Sequence, residues 1–205
     1  MPRDGAPTRE RILDGAERLV LERGFAGTTI DAVIAATSTS KGSFFHHFHS
    51  KDDLGRALVE RYAAADVAHL DLFMAQAEAA YEDPAEQLVE FVRLFEKAAD
   101  DLARQQPSCL YVSFVYERGL VGAETTELIV DAVLAWRRRL TEKIVAASEL
   151  HPPRLPVEPG SLADLVFTTF EGGFILARTM SDPTLLRGQL EHLRRYIELL
   201  FGVGA

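Results

Sequence analysis

The stretch SKGSFFHHFHSKDDL, residues 40–54, decides how the chain is read. Its first residues make a short helix, from Ser40 to about His46, that turns Phe44 toward a core, with Phe48 just beyond on the same side. Ser40, Lys41 and Ser43, with Thr39 before them, are small donors and acceptors suited to base edges. Ser50, with Asp53 three residues on, forms a capping box and opens a longer helix along which Leu54, Leu58 and Tyr62 face inward. Upstream, Thr28 or Thr29 caps a second short helix running to about Ala36, with Ile30, Val33 and Ile34 as its apolar side, until the polar tract TSTS at 37–40 interrupts it. Two short helices joined by a three-residue turn, followed by an amphipathic stem, hold a recognition helix out toward a major groove.

Outward from this core stretch, helix signals recur. Thr8 to Arg23 carries Ile12, Ala16, Leu19 and Val20 at one-face spacing, and Gly24 follows as a C-terminal cap. Asp83, Pro84 and Glu86 precede a helix with Leu88, Phe91, Phe95 and Leu102. Pro107 starts another, through about Arg118, and Gly119 and Gly122 separate it from a long helix carrying Ile129, Val133, Trp136, Leu140 and Ile144. Pro152, Pro153, Pro156 and Pro159 end that helix. Ser161 with Asp164 is expected to cap the next, and Asp182 with Pro183 the last. The expectation is an all-α fold of about nine helices, since no segment alternates as a strand would.

A chain of 205 residues with 47% hydrophobic and 26% charged residues has the composition of a globular protein. One cysteine, Cys109, excludes a disulfide within the chain and any multi-cysteine metal site, which fits a reducing compartment. No run approaches roughly 18 apolar residues and the N-terminus is charged, so the expected location is cytoplasmic, with no membrane partner. The net charge of -9 is unevenly spread. Residues 1–51 hold seven Lys and Arg against six acids, whereas the rest holds 15 against 25, an asymmetry consistent with a nucleic-acid-facing end. The N-termini at Thr28/Thr29 and Ser50/Lys51 flank the recognition segment and are suited to phosphate.

TRERIL at 8–13, GFAGTTI at 24–30 and residues 40–54 together resemble the DNA-binding domain of TetR-family regulators. The resemblance covers about 55 residues and implies that Thr28, Thr29, Phe45, His46 and Lys51 stand where that family touches phosphates, and His47 beside them is also expected to bind DNA. It places Thr39, Ser40, Lys41 and Ser43 where the family reads bases. Three positions depart from the pattern: Ser38 replaces a turn glycine, Ile34 a small alanine, and Phe45 a phosphate-binding tyrosine, which removes a hydroxyl.

Other clusters have plainer readings. His46, His47 and His49 suit phosphate or solvent better than a metal, and Arg137, Arg138 and Arg139 a solvated helix face. Phe91, Phe95, Tyr111, Phe114, Trp136, Phe167 and Phe170 fall at helical spacing as core, with some lining a pocket. Cys109, in the first turn of a helix begun by Pro107, is either a dipole-activated thiolate or a small packed hydrophobe.

The resulting expectation is a helix-turn-helix DNA-binding domain over 1–48 and a helical ligand-binding and dimerisation domain over 49–205, with no cofactor or metal. An apolar effector is expected among Phe91, Phe95, Cys109, Phe114 and Trp136. Leu186, Leu190, Leu193, Ile197 and Leu200 repeat in steps of four and three, and Gly172, Gly173 and Ala177 on the preceding helix permit close approach. The resemblance implies that these last two helices form a four-helix homodimer interface. No nucleophile elbow, phosphate loop or paired-carboxylate signature favours an enzyme, and a pure interaction module would lack salt-sensitive binding to double-stranded operator DNA.

Overall fold

The computed structural model describes residues 6–105, 109–117 and 121–204. Among them are nine helices and no strand: α1 (Ala6–Arg23), α2 (Ile30–Thr37), α3 (Lys41–His47), α4 (Lys51–Ala80), α5 (Pro84–Gln105), α6 (Leu110–Val115), α7 (Ala123–Leu150), α8 (Pro159–Met180) and α9 (Thr184–Phe201).

Local chemistry sets most of the ends. Gly24, at φ 79°, closes α1 with its N–H on the Val20 carbonyl at 2.8 Å. Ser50 Oγ accepts the Asp53 N–H at 3.0 Å while Asp53 accepts the His49 N–H, opening α4. Asp83 Oδ1 accepts the Ala85 N–H at 2.8 Å at the head of α5. The start of α8 differs from expectation. The Glu158 carboxylate accepts the N–H groups of Gly160 and Ser161, and Pro159 takes the first helical position, so the helix begins earlier and Ser161 and Asp164 lie within it. Cys109 is the N-cap of α6 rather than a first-turn residue, while Pro107, Arg118 and Gly119 lie outside the described residues.

The chain forms two compact units, Met1–Ala64 with Cys109–Asp131, and Ala65–Ser108 with Ala132–Ala205. The unit holding the helix-turn-helix thus extends past residue 48 and recruits α6 and the start of α7. Its core is built by Ile12, Leu13, Ala16 and Val20 of α1, Val33 of α2, Phe44 of α3, Phe48, and Leu54 and Leu58 of α4, all buried. Phe25, between α1 and α2, meets Phe114 of α6 with ring centroids 4.6 Å apart. Burying a phenylalanine contributes about 1.5–3 kcal/mol, so this contact fixes the α1–α2 turn. Arg61 of α4 binds Glu10, Asp14 and Glu17, fastening α4 along α1.

In the second unit, Leu186, Leu190, Leu193, Ile197 and Leu200 do not form an outward seam. They are buried with Leu88, Val89, Phe91 and Val92 of α5 and Leu162, Val166 and Phe170 of α8. The four-and-three spacing correctly marks a stripe packed lengthwise on other helices, and those helices belong to the same chain. Gly173 serves the same contact, since a Cβ there would stand 2.6 Å from Leu186 Cδ1 and 3.3 Å from its Cα. Ala177 is buried as well. On α8 and α9 themselves, the large apolar residues that face outward among the described residues are Leu165, Ile175, Leu176 and Met180 of α8 and Leu199 of α9, each 41–66% exposed. By length and composition alone α8 is apolar enough to cross a membrane, a property its sequence reading overlooked; its other face packs on α9.

Candidate nucleic-acid interface

The turn between α2 and α3 is built by backbone and hydroxyl contacts. Ser38 sits at φ 51° and ψ 38°, donating its N–H to the carbonyls of Ala35 and Ile34. The left-handed geometry of the usual glycine is therefore kept by a serine, at a cost of about 1–2 kcal/mol. Thr37 donates to the Val33 carbonyl at 2.8 Å and exchanges a hydrogen bond with Thr39 at 2.9 Å. Ser40 Oγ accepts the Ser43 N–H at 3.1 Å, and this cap starts α3. With Phe44 fully buried beneath it, α3 turns Lys41, Gly42, Phe45 and His46 outward, with Ser43 and His47 half-buried. A Cβ at Gly42 would meet nothing within 4 Å, which leaves the outer face of the helix open to a ligand.

Three expected phosphate ligands have their polar groups engaged within the chain. Thr28 is 2% exposed, and its hydroxyl donates to the Gly24 carbonyl at 2.8 Å, so it closes the end of α1. Thr29 is exposed, but its Oγ1 is engaged as the N-cap of α2, accepting the Ala32 N–H at 3.1 Å. Lys51 is turned inward. Its Nζ donates to the Ala26 carbonyl at 3.2 Å and lies 4.5 Å from the centre of the Phe25 ring. Burial holds its pKa below the usual lysine range, opposed by the facing Glu117 carboxylate, which also accepts the Ala26 N–H.

His47 has its pKa lowered by burial first, then by His46 and by Arg9. Arg9 stands over the Phe48 ring at 5.4 Å, so α1 brings a cation to the C-terminal end of α3 that sequence spacing does not announce. Phe45 lies edge-on to Phe44, with centroids 5.3 Å apart. Among the described residues no group of three or more His, Cys, Asp or Glu is arranged to hold a metal ion.

The expected effector residues separate into two places. Phe91, Phe95 and Trp136 come together with Phe73 and Phe170, with centroid distances from 4.5 Å for Phe73–Phe95 to 6.0 Å for Phe91–Trp136. The Trp136 indole N–H donates to Asp66 Oδ2 at 2.9 Å, a polar contact across 70 residues that no local pattern signals. Phe114 and Cys109 belong instead to the unit of the helix-turn-helix, where Phe114 packs on Phe25. Tyr111 of the same short helix packs edge-on to Tyr62 of α4, with centroids 4.9 Å apart.

A recognition helix presented by a capped turn over an aromatic core defines a helix-turn-helix DNA-binding protein. Residues 12–58 match the family of bacterial regulatory proteins, tetR family. The transcriptional regulator AcuR of Cereibacter sphaeroides is 26% identical over 84% of this chain and 76% of its own length. The repressor NemR of Escherichia coli is 38% identical over 37% of this chain and 38% of its own. A solved TetR transcriptional regulator of Chloroflexus aurantiacus superposes with a TM-score of 0.76 at 26% identity, covering 97% of this chain and 98% of that one. Over its helix-turn-helix the chain matches the tetR family, and along most of its length it is similar to transcriptional regulators of that family.

Proposed function

We propose that the protein is a cytoplasmic repressor which binds a near-palindromic operator as a homodimer and is released by a small, mostly apolar effector. The observation that carries this reading is the array of exposed Ser40, Lys41, Phe45 and His46, with half-buried Ser43 and His47 between and beside them, on and at the cap of a helix whose inner side is locked by Phe44. Lys41, Ser43, Ser40 and Thr39 read base edges, while the backbone at Thr29 and the side chains of His46 and His47 meet phosphate.

A palindrome needs two reading heads, and the outward stripe of α8 supports a second copy as its cover. Leu165, Ile175, Leu176 and Met180 lie on it with Gly172, where a Cβ would meet nothing within 4 Å and where helices of two copies approach closely. Leu199 of α9 is exposed as well.

The effector binds among Phe73, Phe91, Phe95, Trp136 and Phe170, with Asp66 as its polar anchor. Helix α4 is continuous from Lys51 to Ala80 and contributes to both compact units, so a displacement of its second half reaches the reading head through unbroken backbone. Recognition helices held about 34–36 Å apart in the dimer fit successive major grooves, and an effector that favours another spacing releases the DNA.

The test is selection of bound duplexes from a random pool, followed by calorimetric titration of a releasing ligand with and without the selected operator. An enriched inverted repeat and mutual weakening of ligand and operator by one common factor are expected. Absence of an enriched motif would end the regulator reading, and equal ligand affinity in both titrations would end the allosteric one.

A further inference from the structure

We propose that Glu117 regulates the reading head directly: its carboxylate competes with operator phosphate for Lys51. This rests on the operator-binding reading above, and it assigns a role to a residue that no sequence motif marks.

Glu117 follows α6, yet its carboxylate reaches the turn between α1 and α2, where it accepts the N–H of Ala26 and faces Lys51. The Lys51 ammonium is drawn to the same point, donating to the Ala26 carbonyl at 3.2 Å. One carboxylate and one ammonium therefore hold a single residue, Ala26, by its N–H and by its carbonyl. Ala26 precedes α2, and Lys51 is the first residue of α4. These two helix starts flank α3, the helix that faces DNA, and a duplex brought to α3 delivers phosphates to them.

The carboxylate is held in place. Phe114, one turn earlier, packs on Phe25 at 4.6 Å. Gly24 leaves room for it, since a Cβ there would stand 2.9 Å from Glu117 Oε1. Further on, the Gly122 N–H donates to Asp52 Oδ1 at 2.9 Å, a second tie to the first turn of α4. In this arrangement a carboxylate stands near the cation at the head of α4, both engaged on Ala26. Binding a phosphate draws the ammonium away from Ala26 and Glu117, and the operator gains less from Lys51 than it would from an uncommitted cation.

The experiment uses the full chain and the operator selected from the random pool. Glu117→Gln keeps an oxygen to accept the Ala26 N–H and removes the charge. Operator affinity is measured by fluorescence anisotropy as salt is varied, and thermal unfolding is recorded for each variant. The expected result is tighter binding with a salt slope steeper by about 0.9 per protomer. For a dimer that advantage shrinks about 3.5-fold each time salt is doubled. In a Lys51→Ala background, Glu117→Gln should change neither affinity nor slope.

Unchanged affinity and slope overturn the proposal, as does weaker binding at an unchanged slope, with or without a loss of Tm, because Glu117 would then be a prop for the turn. If the wild-type chain selects no sequence at all, it is the operator reading that fails.

Discussion

Gly15 of α1 and Thr37 of α2 occupy one crossing point: a Cβ at residue 15 would stand 2.3 Å from Thr37 Cγ2. The methyl cannot rotate away without cost, because the Thr37 hydroxyl is bonded to Val33 and Thr39. Gly15→Ala gains about 0.5–1 kcal/mol of helix propensity and loses about 1–3 kcal/mol to overpacking. A net loss of about 1 kcal/mol, with weaker operator binding as the turn before α3 shifts, is expected. Thr37→Ser removes the methyl and keeps the hydroxyl, so the double variant should recover both. A stabilised Gly15→Ala single variant would show that the crossing has slack.

Operator binding should strengthen as pH falls from 8 to 6. Burial, His46 and Arg9 keep the His47 pKa below 6.5 in the free protein. A phosphate beside it favours the imidazolium, so binding takes up protons and affinity rises several-fold at the acid end. Folding has the opposite sign. The unfolded chain binds more protons at this site, so its contribution to stability declines as pH drops below the unfolded value. Affinity measured at constant ionic strength should lose this pH dependence in His47→Gln; an unaltered profile would remove His47 from the contact.

Lys41 and Ser43 should separate affinity from preference. Lys41→Ala is expected to relax selection at particular base pairs by about 1–3 kcal/mol. Repeating the pool selection with the variant tests this, since a uniform loss across all sequences would reassign Lys41 to phosphate.

The two faces of the last helices should respond in opposite ways. Leu193 is 4% exposed within a single chain, so Leu193→Arg buries a charge and should cost at least about 3 kcal/mol, seen as a fall in Tm. Ile175→Glu with Leu176→Glu alters only the outward stripe of α8, and should yield folded monomers by light scattering that no longer bind a palindrome. A dimeric double variant would move the interface elsewhere.

Local chemistry made the helices legible. Ser40, Ser50 and Asp83 announce their caps, and the positions of Phe44 and Phe48 beneath α3 follow from spacing alone. Glu158 was missed because Pro159 reads as the last of four loop prolines rather than as the first residue of α8. The α9 leucines were legible as buried, but a period says nothing of whose helices do the burying. Thr28 and Thr29 are adjacent and chemically alike, and only the position of the Gly24 carbonyl decides which one turns inward. Glu117 and Asp66 act across 91 and 70 residues, a distance over which no capping or periodicity rule operates.

A reading head assembled from two separated stretches of chain does not travel as a cassette. A graft carrying only residues up to Ala64 onto another regulator strips Phe114 from Phe25, Glu117 from Ala26 and Gly122 from Asp52, leaving the α1–α2 turn and the first turn of α4 unsupported. Chimeras that exchange operator preference must bring 109–131 along, or else change only the outward residues of α3. For this chain, a new operator preference is then reached more readily by point substitution on one short helix than by exchange of the segment up to Ala64.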